Sequence, residues 1–293
     1  MFRNRFAALS ALQIARSTAI ATVVTLGAVA IACSDQTTGS LAPASSALLS
    51  KGGLDGNTVY GPLVTLGAGT ARTYATMENG TVVELGVEMT EGALQGLPVA
   101  TEHAGHHNHS REFAFELALP EEAGVTAYQT VNLGWMPNGH EPPYNRPHFD
   151  FHFYTITEAE RAAIDPSDPQ WAQKAGNLPA PQFRPARYFA LSTLIGAPPA
   201  AVTVPRMGMH WLDIASPELS GAEFTYTFFY GSWNGAMIFD EPMITKAFLE
   251  SRQSLTVSLP PAAEYSPAGL RARGYRVYWE NGRHRVALIQ LAS

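Results

Sequence analysis

The chain has 293 residues, a single cysteine and a formal net charge of −6. Apolar residues make up 46% and charged residues 15%, so a sizeable core can be buried and intrinsic disorder is excluded. No basic surplus exists to neutralise phosphates, which argues against nucleic-acid binding.

The first segment reads as an address. Arg3, Arg5 and Arg16 form a positive leader, and Thr18 to Ala32 is apolar, rich in small residues and uncharged. It ends Ala30-Ile31-Ala32-Cys33, small residues before a lone cysteine, which suits a bacterial lipoprotein cleavage site. Residues 1–32 are therefore expected to be a lipoprotein signal peptide and Cys33 the lipidated residue, an anchor to the membrane. Removing them takes away three arginines and no acid, so the net charge falls from −6 to −9. Position 34 is Ser, not the Asp that often follows the cysteine of inner-membrane lipoproteins; the outer membrane, facing the periplasm, is the expected location. Residues 33–56 are small and polar and read as a flexible tether. No later run of 18 apolar residues offers a second membrane span.

From residue 57 to 293 the pattern is that of one β-rich domain. Val59–Leu66 and Arg72–Met77 read as strands, followed by the turn dipeptide Asn79-Gly80 and a strand Val82–Met89. Thr90–Gln95 suits a single helical turn. Arg111–Leu119 alternates, with Phe113, Phe115 and Leu117 on one face and Glu112, Ala114 and Glu116 on the other. Tyr128–Met136 and His148–Thr155 follow as strands, and Thr157 with Glu160 forms a capping-box pattern for a helix to about Ile164. Residues 165–205 are rich in Pro and Ala and read as one long loop. Glu223–Tyr230 and Ala236–Phe239 read as strands, and Pro242–Ser251 as a helix with proline in its first turn. A short strand, Leu255–Leu259, precedes a clear hairpin, Tyr275–Glu280 and His284–Leu291 about Asn281-Gly282. Some ten strands and a few short helices predict a mainly β fold, a single antiparallel barrel or sandwich.

The chemistry concentrates in Gly139–Tyr154. On a strand, side chains alternate, so His148, Asp150, His152 and Tyr154 share one face while Phe149, Phe151 and Phe153 share the other. An all-Phe face must be core. A His-Asp-His row opposite it suggests a polar cavity, as inside a barrel. With a rise of about 3.3 Å per residue, His148 and His152 stand roughly 13 Å apart, too far to share one ion with bonds of about 2.1 Å. Either could act with Asp150, completed by residues from elsewhere: His210 after Met207-Gly208-Met209, His140 in the loop that feeds the strand, and Glu241. A helix dipole would also explain a carboxylate at Glu241. Such a ligand set suits Zn, Fe, Mn or Cu. A polar pocket without metal, binding a small molecule, and a structural hydrogen-bond network, as in an oligomeric envelope protein, are the alternatives. A second tract, His103, His106, His107 and His109, fits metal binding or a plain polar loop. No nucleophile elbow, phosphate loop, Rossmann fingerprint or HExxH motif occurs.

The stretch Gly139–Tyr154, the segment Met207–Trp211 and the segment Phe239–Thr245 resemble a bacterial, mostly exported family of unknown function, with signatures close to GHxP…PHFDFHFY and MGxH[WY]. The resemblance runs from about Tyr60 to about Leu259. It implies a β-rich domain, supports His140, His148, Asp150, His152, His210 and Glu241 as site residues, and carries no established activity. It leaves the C-terminal hairpin as an added element. The His-bearing strand is also similar in outline to that of cupins, although Asp150 stands between the histidines.

Overall fold

The computed structural model describes residues 57–99, 112–267 and 269–292. The signal and tether expectations, Cys33 and the tract 103–109 lie outside the described residues. A first meander holds β1 (Thr58–Tyr60), β2 (Val64–Leu66), β3 (Gly69–Glu78) and β4 (Thr81–Thr90). The single strand expected over 59–66 is thus two short ones. A second run holds β5 (Phe113–Leu117), β6 (Thr130–Met136) and β7 (His148–Tyr154).

The segment expected to be one long loop is instead built from short elements. Helix α1 (Glu158–Ala162) carries the expected capping box, Thr157 accepting from the Glu160 N–H while Glu160 accepts from the Thr157 N–H. Helix α2 (Trp171–Gly176), strand β8 (Tyr188–Ala190) and helices α3 (Leu191–Ile195) and α4 (Pro199–Val202) follow. Each is too short to show a periodicity, which is why the sequence reads as loop. Strands β9 (Met209–Asp213), β10 (Tyr226–Trp233) and β11 (Ala236–Thr245) come next. Helix α5 (Lys246–Glu250) begins only after Thr245, whose hydroxyl caps it by accepting from the Phe248 N–H. Pro242 therefore lies inside a strand and not at a helix start. Strands β12 (Leu255–Ser258), β13 (Gly274–Glu280) and β14 (Arg283–Ile289) complete the chain.

These form two open antiparallel sheets, so the fold is a sandwich and not a closed barrel. Sheet one has the order β1-β3-β4-β14-β13-β12, with β2 also on β3; sheet two has β5-β6-β7-β11-β10-β9-β8. The chain leaves sheet one after β4, builds all of sheet two, and returns. The C-terminal hairpin is therefore integral, because β14 pairs with β4 in the middle of sheet one. Among the described residues, no helix is long and apolar enough to cross a membrane.

The inner faces meet in one core. Phe149, Phe151 and Phe153 are fully buried there with Leu133 and Val131 of β6, Leu85 and Val87 of β4, and Val286 and Leu288 of β14. Strand β7 is central in its sheet and buried along all seven residues. Its outward face is covered by two smaller apolar clusters. One joins Tyr154, Ile164, Val204, Met207 and Phe239; the other joins Tyr144, Leu212, Phe224, Phe229 and Met243. The loops and short helices that carry Tyr144, Ile164, Val204, Met207 and Phe224 thus form a third layer over sheet two.

Deleting a fully buried ring from a close-packed core removes transfer energy and leaves a cavity. Phe151→Ala is expected to lower the unfolding free energy by about 3–5 kcal/mol, read from urea denaturation. An unchanged midpoint would mean that this face is not core.

Candidate functional site

The polar row does not line a barrel. It lies on the outer face of sheet two, beneath the third layer, and the register explains its neighbours. Across β6, Asn132 stands opposite His152, Gly134 opposite Asp150 and Met136 opposite His148. Across β11, Met243 stands opposite Asp150 and Phe239 opposite Tyr154. The β7–β11 register is the same on both sides of Glu241 and Pro242, yet these two residues form no ladder pair with β7. Proline has no N–H to give, so one rung is lost. In that register Glu241 faces His152, from the middle of a strand, which removes the helix-dipole explanation.

The sequence-derived residues separate into two groups of three. His140, His148 and Asp150 form one; His152, His210 and Glu241 form the other; within each, the ligand atoms lie within 4.8 Å of one another. The expected incompatibility of His148 with His152 is met by giving each its own carboxylate. His140 reaches the first group from the loop after β6, which folds on itself through His140 N–H to Tyr144 O and Tyr144 N–H to Glu141 O, each 3.0 Å. The Tyr144 ring packs edge-on against Phe224 and Phe229, both at 5.2 Å, and holds the loop down. His210 reaches the second from β9, opposite Gly231 of β10. A Cβ at Gly231 would stand 1.8 Å from the Phe239 ring, so only glycine leaves room for that ring. The ring packs beside both His152, at 5.0 Å, and His210, at 5.3 Å.

In the first group, His148 Nδ1 donates to the Arg146 carbonyl at 2.6 Å. That bond places a proton on Nδ1, so the neutral imidazole carries its lone pair on Nε2. Nε2 points at Asp150 Oδ1, 3.1 Å away, without hydrogen-bond geometry. His140 Nε2 lies 3.3 Å from Asp150 Oδ2. A tetrahedral shell with bonds of about 2.1 Å separates its ligand atoms by roughly 3.4 Å. The spacings thus fit an ion's shell. Burial opposes a charge on His148, but the Asp150 carboxylate raises its pKa above the ordinary imidazole value. Burial likewise opposes a charge on Asp150, and His148 and His140 together hold its carboxyl well below the usual range.

The second group is spaced similarly, with His152 Nε2 at 3.4 Å and His210 Nε2 at 3.8 Å from the Glu241 carboxylate. Neither His152 nitrogen makes a hydrogen bond, nor does Glu241 Oε2, and all are buried. Burial pushes the His152 pKa down to about 4, so its imidazole is neutral at pH 7, the form that ligates. Burial first, then the charges of Asp150 and Glu112, hold the Glu241 carboxyl well above its usual value. Both groups present one partly exposed histidine, His140 and His210, at 25% and 13% side-chain exposure.

Sequence reasoning missed Glu112 as a member of this layer. Its pKa is raised to about 7 by burial and by Asp150. Its place on the polar face of an alternating strand was readable; its nearness to Asp150 depends on β5 pairing with β6, which was not. Asn132, buried opposite His152 and donating to Glu116 Oε1 at 2.8 Å, was missed for the same reason.

Fold and site together define a three-layer β-sandwich of which one buried sheet face carries two His₂-carboxylate groups suited to a metal ion. Residues 78–135 match the family described as TTHB210-like, Hypothetical protein TTHB210. This segment runs from the end of β3 into β6 and stops short of the 139–154 motif; the match is consistent with a domain of unknown function. No curated protein and no solved structure matches the chain significantly.

The unfolded chain protonates His152 near 6.5, whereas the folded protein resists until about pH 4. Stability of the metal-free protein is therefore expected to fall as pH drops from 6.5 towards 4, by up to about 1.4 kcal/mol per pH unit from this group. Glu112 acts oppositely: its contribution is present below pH 4.5 and is lost as pH rises through about 7. Urea midpoints across pH 4–8 for the parent and His152→Asn check the first effect. Equal slopes below pH 6.5 would show that this imidazole remains in contact with water.

Proposed function

We propose that the protein is a lipid-anchored envelope protein, attached through Cys33 and held at the outer membrane facing the periplasm, whose β-sandwich binds divalent transition-metal ions through His140, His148 and Asp150 and through His152, His210 and Glu241. The observation that carries this reading is the His148–Asp150 contact. The Arg146 carbonyl holds an Nδ1 proton on His148, so in the neutral imidazole two buried acceptors, Nε2 and Asp150 Oδ1, face each other at 3.1 Å. A cation between them turns that repulsion into coordination. A carbonyl on the far nitrogen is the usual support of a metal-binding imidazole. Two imidazoles and one carboxylate leave further coordination positions for an outside ligand, as metalloenzymes require. The donors suit Zn, Fe, Mn or Cu.

One observation favours a metal-free reading. Asp150 raises the His148 pKa, and a protonated His148 would pair with that carboxylate without an ion. The protein would then be a structural or small-ligand-binding envelope component, an oligomer with this layer at its contacts.

Metal analysis of the detergent-extracted full chain, supplied with Zn, Fe, Mn and Cu in turn, separates the two. Near-stoichiometric metal in the parent, lost in His148→Ala/His210→Ala, is the expected result; no metal under any supply would favour the ion-pair reading. Retention is expected to weaken below about pH 6 as the imidazoles protonate. Affinity flat from pH 5 to 8 would speak against these ligands. For the anchor, Cys33→Ala is expected to move the protein from the membrane to the soluble fraction, and an unchanged distribution would rule out attachment at that residue.

A further inference from the structure

The polar layer holds one more carboxylate than the two triads use. Glu112 immediately precedes β5, the edge strand of sheet two, and its side chain crosses β6 at Gly134. A Cβ at Gly134 would stand 2.3 Å from Glu112 Oε1 and 3.1 Å from its Cδ, so any other residue there would meet this carboxylate. Gly134 is the Cα partner of Asp150. Opposed residues of an antiparallel pair face the same side of the sheet, so Glu112 lies on the face that carries the triad, near enough for the Asp150 charge to act on it but outside the three ligand atoms that stand within 4.8 Å of one another. Its Oε1 is buried and makes no hydrogen bond. Two carboxylates on one covered face, each with a buried oxygen that makes no hydrogen bond, form an arrangement that folding alone disfavours.

We propose that an ion held by His140, His148 and Asp150 draws in Glu112 as its fourth protein ligand, and that Gly134 is the gap through which it reaches. This rests on the metal-binding reading above. Two neutral imidazoles and two carboxylates cancel the charge of a divalent ion and can fill a tetrahedral shell, the pattern of a closed site. The triad at Glu241 supplies a single carboxylate, so a divalent ion there keeps one positive charge and room for an anionic ligand such as hydroxide or a carboxylate. The two centres then differ in kind: one is closed by the protein, and the other is the place where an outside molecule binds.

The test is a Co(II) titration of the metal-free, detergent-extracted full chain, read by bound metal and by visible d–d absorption, which is intense only at low coordination number. His210→Ala disables the second centre and isolates the first. In that background Glu112→Gln is expected to weaken Co(II) binding at least tenfold and to shift the absorption bands as water replaces the carboxylate. Gly134→Ala, which keeps Glu112 but displaces it, should act in the same direction. Neither change should move Co(II) binding at the second centre, read in a His148→Ala background. Unchanged affinity and spectrum on Glu112→Gln would overturn the assignment and leave the metal reading intact. Loss of all binding in His210→Ala, with binding by the parent, would also overturn it. No Co(II) bound by the parent would instead bring down the metal reading itself. If Glu112→Gln does not fold, Glu112→Asp, one methylene shorter, makes the same comparison.

Discussion

Strand β7 is buried on both faces, and the rest of the domain answers to that constraint. Its phenylalanines satisfy one face by packing into the core between the sheets. Its other face carries His148, Asp150 and His152, which cannot be buried without partners. The third layer, made by the helices and loops between α1 and Phe224 that lie outside β8 and β9, covers this face, and the loop bearing His140 closes one end of it. The partners come from strands far apart in sequence, so the site exists only once the second sheet has assembled.

The layer is also an electrostatic unit. Asp150, Glu112 and Glu241 lie close enough that the charge of one shifts the ionisation of the others. Burial drives His152 towards neutrality and both glutamates towards protonation, while Asp150 keeps its charge through its two histidines. Burial and neighbouring charges thus set different protonation states on chemically similar groups within one face.

Much of this was legible from the chain alone. The alternation of β7 identifies its two faces, because side-chain direction on a strand is a matter of covalent geometry. The Asn-Gly hairpins and the Thr157 capping box are equally local and appear as expected. What escaped depends on tertiary pairing. Pro242 reads locally as a helix start, but the sheet overrides it and the helix begins four residues later, capped by Thr245. The six candidate ligands read as one set, yet their division follows from which strand faces β7 at each position. Glu112 joins them only because Gly134 happens to be the residue between.

Pro242 has one further consequence. The ladder between β7 and β11 is continuous beside His148 and Asp150 but lacks pairs at Glu241 and Pro242, beside His152. A strand pair missing a rung can be parted there more readily than along its paired stretches. The backbone at Glu241 is therefore tied to its sheet through β10 alone, whereas Asp150 is paired with both β6 and β11.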